Sequence, residues 1–394
     1  MVMRRRLRLD ARLLGLAPFM LGILAGCLPG PTRTAATSAP LPLPEPTSTN
    51  LPSPTATSPP SLASSTVPTA ETTSAELRLL GELEVGMANP AIGRQKFVSD
   101  VAWAPDGTQL AVAAFDVTTG TIELLDLKTL DRLWSAETAL TFDIEFSPDG
   151  NILAANFPTP GVILTWDVAS GDRVLEVESG YLDPCLVGEH LEFLPDRGRI
   201  VTGYDLGKGP YETTIDLWDL QSGQCEGALL RTDGGLVSLW VEPSGQYMIL
   251  TLLKVQEDPS KRVSIWNLET LEPTCSAPGN IGALAGNGRA LAIVGPDERS
   301  IELRRVPDCQ LIRAVAVDFD VFSLALSPDA SLLAVGGAGL EIWDLSSLSK
   351  LAHVEDVPSA VTLLAFSPDG SMLISTGSAN PGEKTKILLW EFGS

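Results

Sequence analysis

From about residue 76 onward the apolar positions come in short runs broken by turn residues, and the pattern repeats. An apolar run leads into a Ser-Pro-Asp-Gly-like turn: Ala104-Pro105-Asp106-Gly107, Ser147-Pro148-Asp149-Gly150, Ser327-Pro328-Asp329-Ala330 and Ser367-Pro368-Asp369-Gly370. Weaker copies are Leu194-Pro195-Asp196-Arg197, Glu242-Pro243-Ser244-Gly245 and Ala285-Gly286-Asn287-Gly288. A second apolar run follows each turn, as in Leu110–Ala114 and Leu332–Gly336. A third ends in an aromatic-acidic pair: Trp166-Asp167, Trp218-Asp219, Trp266-Asn267, Trp343-Asp344 and Trp390-Glu391. Leu125-Asp126 and Arg304-Arg305 take that place in the first and fifth units. A fourth run, such as Asp172–Glu178, completes the unit. Runs of this length, bounded by Pro and Gly, predict β-strands joined by tight turns.

The turn positions 106, 149, 196, 244, 287, 329 and 369 lie 43, 47, 48, 43, 42 and 40 residues apart. Four strands on a period of 40–45 residues are the mark of propeller blades. With its Trp-Asp strands, the stretch 76–394 resembles the WD-repeat family. The Ser-Pro-Asp-Gly turn alone is also found in Tol-system-like propellers. The expected fold is all-β: a single seven-bladed β-propeller. The last unit stops at its Trp390 strand, and Glu76–Glu84 is a strand without a blade. The resemblance implies that this N-terminal strand completes the last blade, closes the ring and covers a sheet edge. The family's Gly-His dipeptide is missing, since His190 and His353 are the only histidines. The hydrogen-bonded network that it supports must be absent or replaced.

The first 75 residues follow another logic. An arginine-rich start precedes the apolar run Leu13–Ala25, which Pro18 interrupts and which is too short to span a bilayer. It ends in Leu24-Ala25-Gly26-Cys27, which resembles the lipobox of bacterial lipoproteins. The resemblance implies cleavage after Gly26 and acylation of the Cys27 thiol, with more than one acyl chain giving stable anchoring. From Leu28 to Ala75 the composition turns to Pro, Thr, Ser and Ala, with Arg33, Glu45 and Glu71 its only charges. Such a stretch buries too little apolar surface to offset chain entropy and reads as a disordered tether. The expected organisation is residues 1–26 signal peptide, 27–75 lipidated Cys plus tether, and 76–394 propeller. The expected location is the outer face of the bacterial cell membrane, or the outer membrane in a two-membrane cell.

Charge narrows the partners. The formal net charge of −22 becomes −26 once residues 1–26 are removed. A polyanion of that strength repels phosphate backbones, so no nucleic-acid binding is expected. Cys185, Cys225, Cys275 and Cys309 would meet an oxidising compartment after export, and they allow three pairings.

A search for catalytic motifs is negative, and neither a metal nor another cofactor is expected. Gly203-Tyr-Asp-Leu-Gly207-Lys208 is one residue short of a phosphate loop, and Ser347-Leu-Ser-Lys350 falls in a connection. Aligning the innermost strands puts Asp100, Asp143 and His190 at one equivalent position near the channel mouth. The expected binding-face loops carry Tyr181, Tyr204, Lys208, Tyr211, Lys254, Arg262, Lys384 and Lys386, tyrosines and cations on an otherwise acidic protein. The expectation is therefore a lipid-anchored, monomeric interaction scaffold or sensor for another envelope protein, not an enzyme. The alternative is a substrate-binding or hydrolytic propeller acting on a saccharide, peptide or cofactor in its channel.

Overall fold

The computed structural model describes residues 77–84, 97–116, 119–159, 161–179, 185–196, 198–205, 212–253, 263–279, 282–295, 297–355, 357, 360–377 and 385–392. Among these are 28 strands and no helix, in seven four-stranded antiparallel sheets. In six sheets the four strands follow chain order, as in blade 1: Phe97–Trp103, Gln109–Phe115, Gly120–Asp126 and Arg132–Thr138. The seventh sheet runs Leu77–Glu84, Lys386–Phe392, Met372–Gly377, Val361–Phe366. The N-terminal strand thus pairs with the last one, from Leu77 opposite Phe392 to Glu84 opposite Lys386. This is the closure the repeat offset predicts.

The turn chemistry explains why the units fold alike. In the Ser147 turn the Gly150 N–H donates to the Ser147 carbonyl, and Gly150 sits at φ +73°. The Ser147 hydroxyl donates to Asp149 Oδ1 at 2.7 Å and accepts the Ile152 N–H at 3.0 Å. The Ser327 and Ser367 turns repeat both bonds. The aspartate after three of the tryptophans closes the next turn: Asp167 accepts the Ser170 N–H, Asp219 that of Ser222 and Asp344 that of Ser346. At the glycine position of the sixth unit, Ala330 adopts φ +60°. A side chain in that left-handed region costs about 1 kcal/mol. Ala330→Gly is therefore expected to leave stability unchanged or raise it by up to about 1 kcal/mol, read from urea unfolding midpoints.

The core is distributed between blades. Seven buried clusters each draw on two neighbouring sheets, such as Ile249 and Ile265 with Leu291 and Ile293 between blades 4 and 5. The seventh joins Val101, Leu110 and Val112 to Ile374, Ile387 and Leu389, so the ring has no open interface. Trp166, Trp218 and Trp390 are buried, while Trp266 and Trp343 are half-buried. The missing histidine network is replaced locally. The Trp218 indole N–H donates to Thr202 Oγ1, that of Trp266 to Ser264 Oγ and that of Trp390 to Ser375 Oγ. In blade 6 the Trp343 indole donates to the buried carboxylate Glu341, which also meets Lys350 Nζ and, at 3.2 Å, His353 Nδ1.

Two disulfides resolve the three possible pairings. Cys185–Cys225 ties the connection entering blade 3 to that blade's outer strand Gln224–Asp233, with Cα atoms 6.1 Å apart. Cys275–Cys309 ties the outer strand of blade 4, Glu272–Ala277, to a turn of blade 5, with Cα atoms 5.8 Å apart.

Candidate binding site in the central channel

The innermost strands are Phe97–Trp103, Ile144–Phe146, His190–Phe193, Gly235–Val241, Gly282–Leu284, Ser323–Leu326 and Val361–Phe366. Asp100 and Asp143 do occupy equivalent places, and the structure shows what they hold. Asp100 Oδ2 accepts the Ile144 N–H at 3.0 Å, and Asp143 Oδ2 accepts the Leu191 N–H at 2.9 Å. Each carboxylate therefore pins the innermost strand of the following blade. His190 lies third in the row, with Nδ1 3.9 Å from Asp143 Oδ2. Burial holds its pKa down at about 4, so the ring is neutral at physiological pH.

A second tier was not found by aligning single positions. Glu145 accepts the Phe193 N–H, and Glu192 accepts the Val241 N–H at 3.5 Å. Side chains two apart on a strand share a face, so Asp143 and Glu145 belong to one surface, as do His190 and Glu192. That periodicity was the available signal. Behind the first tier, fully buried Asn156 accepts the Asp143 N–H on Oδ1 and donates from Nδ2 to the Gly188 carbonyl.

The two tiers form two carboxyl pairs. Asp100 is hydrogen-bonded to Asp143, and Glu145 to Glu192, through their side chains. Two carboxyl groups can make such a bond only by sharing a proton. Burial pushes Asp100 up to about 6 and Glu145 up to about 8. Burial, reinforced by the neighbouring negative charges, also pushes Asp143 and Glu192 well above the carboxylate range. No Lys or Arg lies on any of the seven innermost strands to offset them.

Opposite this acidic arc the inner strands of blades 4 to 7 carry no charged side chain. They line a cavity of about 520 Å³ with Trp240, Ala283, Leu324, Ala325, Leu364 and Ala365. Among the described residues, no group of three or more His, Cys, Asp or Glu side chains is placed to hold a metal ion.

The residues expected on the binding-face loops are mostly beyond view. Cys27, Tyr181, Lys208, Tyr211, Lys254, Arg262 and Lys384 lie outside the described residues. Tyr204 belongs to the strand Arg199–Asp205, opposite Thr214, and is half-buried. Lys386 is a ladder residue rather than a loop residue. It opens the strand Lys386–Phe392, and its Nζ meets Glu82 Oε2 at 2.7 Å across the ring closure. Arg78 and Glu391 form a second ion pair over the same seam.

Comparison with known proteins bears on the blades. The family described as Eukaryotic translation initiation factor eIF2A matches residues 91–163. Autophagy-related protein 16 of Arabidopsis thaliana is 23% identical over 283 residues, covering 66% of this chain and 52% of that protein. The uncharacterized WD repeat-containing protein sll1491 of Synechocystis sp. is 25% identical over 148 residues, covering 36% of this chain and 41% of that protein. The chain thus spans about half the length of these curated relatives. With the repeat spacing and the sheet topology, these matches support reading the ring as a propeller of the WD-repeat type.

Proposed function

We propose that this chain is a lipid-anchored, extracytoplasmic propeller that binds another envelope protein and catalyses no reaction. The observation that carries the binding reading is how the polar side chains of the blades are used. The channel carboxylates pin neighbouring strands, and the Asp residues of the Trp-Asp pairs close turns. These residues serve a rigid ring, whose connecting segments are where recognition concentrates on such scaffolds. The relatives are an autophagy-related protein and a WD-repeat protein, and neither specifies a partner for this chain.

The anchoring reading rests on the lipobox-like Leu24–Cys27 and the Pro/Thr/Ser-rich segment after it. The two disulfides support export, because reducing compartments keep such thiols apart. Cys27→Ser is expected to move the protein from the membrane pellet to the soluble fraction and abolish incorporation of labelled fatty acid. A Cys27→Ser protein that still sediments with membranes and still carries the label would end this reading.

Partner binding is tested by cross-linking and co-purification from the native host. The bait is the tagged full chain, and the control replaces residues 206–211 and 254–262 with Gly-Ser linkers. A specific protein captured by the bait and lost from the folded control is the expected result. Equal capture by both, or none above background, would overturn it.

A second reading, binding of a small molecule in the channel, is favoured by one observation: the largely apolar cavity lined by the inner strands and turns of blades 4 to 7.

A further inference from the structure

The innermost strand of every blade has an edge whose backbone groups face away from its own sheet. In blades 2 and 3 the N–H groups of Ser147 and Leu194 donate to the second strand, and every other residue of such an antiparallel ladder does the same. The N–H groups between them point outward, and carboxylates of the preceding blade take them: Asp100 at Ile144, Asp143 at Leu191 and Glu145 at Phe193. Ala285, Ser327 and Ser367 set the same alternation in blades 5 to 7, donating to Ala290, Leu332 and Met372. Leu284, Leu326 and Phe366 therefore turn both N–H and C=O away from their own sheets. All three line the cavity of about 520 Å³.

Counted from the turns, the residues placed to cover them, as Glu145 covers Phe193, are Trp240, Ala283 and Ala325. Neither an indole nor a methyl group has an acceptor. Ser238 stands in blade 4 where Asp100 and Asp143 stand in theirs, one blade before Gly282, which also lines the cavity. Yet its buried hydroxyl bonds nothing, and neither does that of Thr251 opposite it. Where the covering carboxylates are missing, the ring leaves a space within the size range of small-ligand sites. Backbone groups withdrawn from bulk water need partners, so this edge favours an occupant that pairs with it. No charged side chain lines the cavity, so an ionised ligand would lose its hydration without gaining a counter-charge. An amide brings one acceptor and one donor to match N–H and C=O, and it carries no charge.

We propose that the cavity binds a small uncharged molecule that carries an amide on an apolar body. The ligand C=O accepts one of the three N–H groups, and its N–H donates to a carbonyl of the same edge. Trp240 and Ala325 pack against the apolar body. The proposal rests on the channel-binding reading above and names the chemistry of its ligand.

The test is calorimetry on the detergent-solubilised full chain, with N-phenethylacetamide as probe. Its counterparts are phenethyl ethyl ether, which lacks the amide, and the charged phenethylamine and 3-phenylpropionate. The amide is expected to bind at least tenfold more tightly than any of the three, the effect of about two hydrogen bonds. Ala325→Leu fills the cavity from blade 6 and should abolish binding. Ala102→Leu makes the same change at the equivalent place in blade 1, outside the cavity, and should leave it unchanged. Thermal melts confirm that both variants fold. Ether binding as tight as the amide, and lost in Ala325→Leu, would overturn the amide while keeping the channel-binding reading. Equal affinity for either charged probe would likewise overturn the proposal, as would amide binding that survives in folded Ala325→Leu. No saturable heat with N-phenethylacetamide, N-benzylacetamide, N-hexylacetamide or the ether at millimolar concentration would overturn both the proposal and that reading.

Discussion

Removing both disulfides is expected to lower the melting temperature by about 10–15 °C. The two loops they close, of 40 and 34 residues, do not overlap. On the chain-entropy account each cross-link is worth about 4 kcal/mol, and contributions from distant sites add. Together that rivals the whole stability of an ordinary domain, about 5–15 kcal/mol. The variant for the first pair is Cys185→Ala with Cys225→Ala, because Cys185 is fully buried and a hydroxyl there would lack a partner. The second pair is replaced likewise. Calorimetric melts of the oxidised protein, each double variant and the quadruple variant measure the effect. A quadruple variant within 3 °C of the parent would show that the inter-blade cores suffice without the cross-links.

The second large effect is a loss of stability with rising pH. Asp100, Asp143, Glu145 and Glu192 have raised pKa values in the folded ring, and fully buried Asp216 is pushed up to about 6 in the same way. The folded state therefore holds protons that the unfolded chain gives up near pH 4. Their contribution to stability is fully present below that value and is lost as pH climbs through about 6 and about 8. His190 works in the opposite sense, because burial lowers its pKa to about 4. Its effect is confined to the range between 4 and its ordinary value of 6.5, so above pH 6.5 the carboxyl pairs act alone. With about two extra protons held, stability should fall by about 1–3 kcal/mol per pH unit. The expected result is a melting temperature about 5–10 °C lower at pH 8.5 than at pH 6.5, at constant ionic strength. Glu145→Gln with Glu192→Gln should flatten that slope. A melting temperature that is level or rises over this interval would show that the pairs do not retain their protons.

Much of the ring was readable from the chain because local chemistry repeats in it. Ser147, Ser327 and Ser367 make the same bonds in the same turns, and Asp167, Asp219 and Asp344 close the same corner. Such short-range contacts leave a period in the sequence. Closure was legible for a different reason, as a strand left over at one end and lacking at the other. What was not legible depends on contacts between blades. The pairing of Cys275 with Cys309 joins the outer strand of blade 4 to a turn of blade 5, which spacing does not encode. Glu145 and Glu192 look like ordinary surface acids until the ring turns their strands inward. Lys386 reads as the end of a polar loop, yet its partner Glu82 comes from the opposite end of the propeller segment. Ser238 and Thr251 carry no signal at all, because an unmet hydrogen bond shows only once the neighbours are known.

The closing seam also sets the order in which the ring can form. Lys386 and Glu82 are 304 residues apart in the chain, and joining ends over that distance costs about 5 kcal/mol of chain entropy in an unstructured polymer. Blades 1 to 6 are each built from consecutive strands, so they can assemble in sequence and shorten the gap before the ends meet. The first strand to leave the ribosome must then wait for the last. Until it pairs, the strand Lys386–Phe392 presents an open edge, and Trp390 lacks the cover of Leu77 that it has in the finished core. A chain truncated just before its final strand, Lys386–Phe392, would keep six intact sheets and still be a propeller that never shuts.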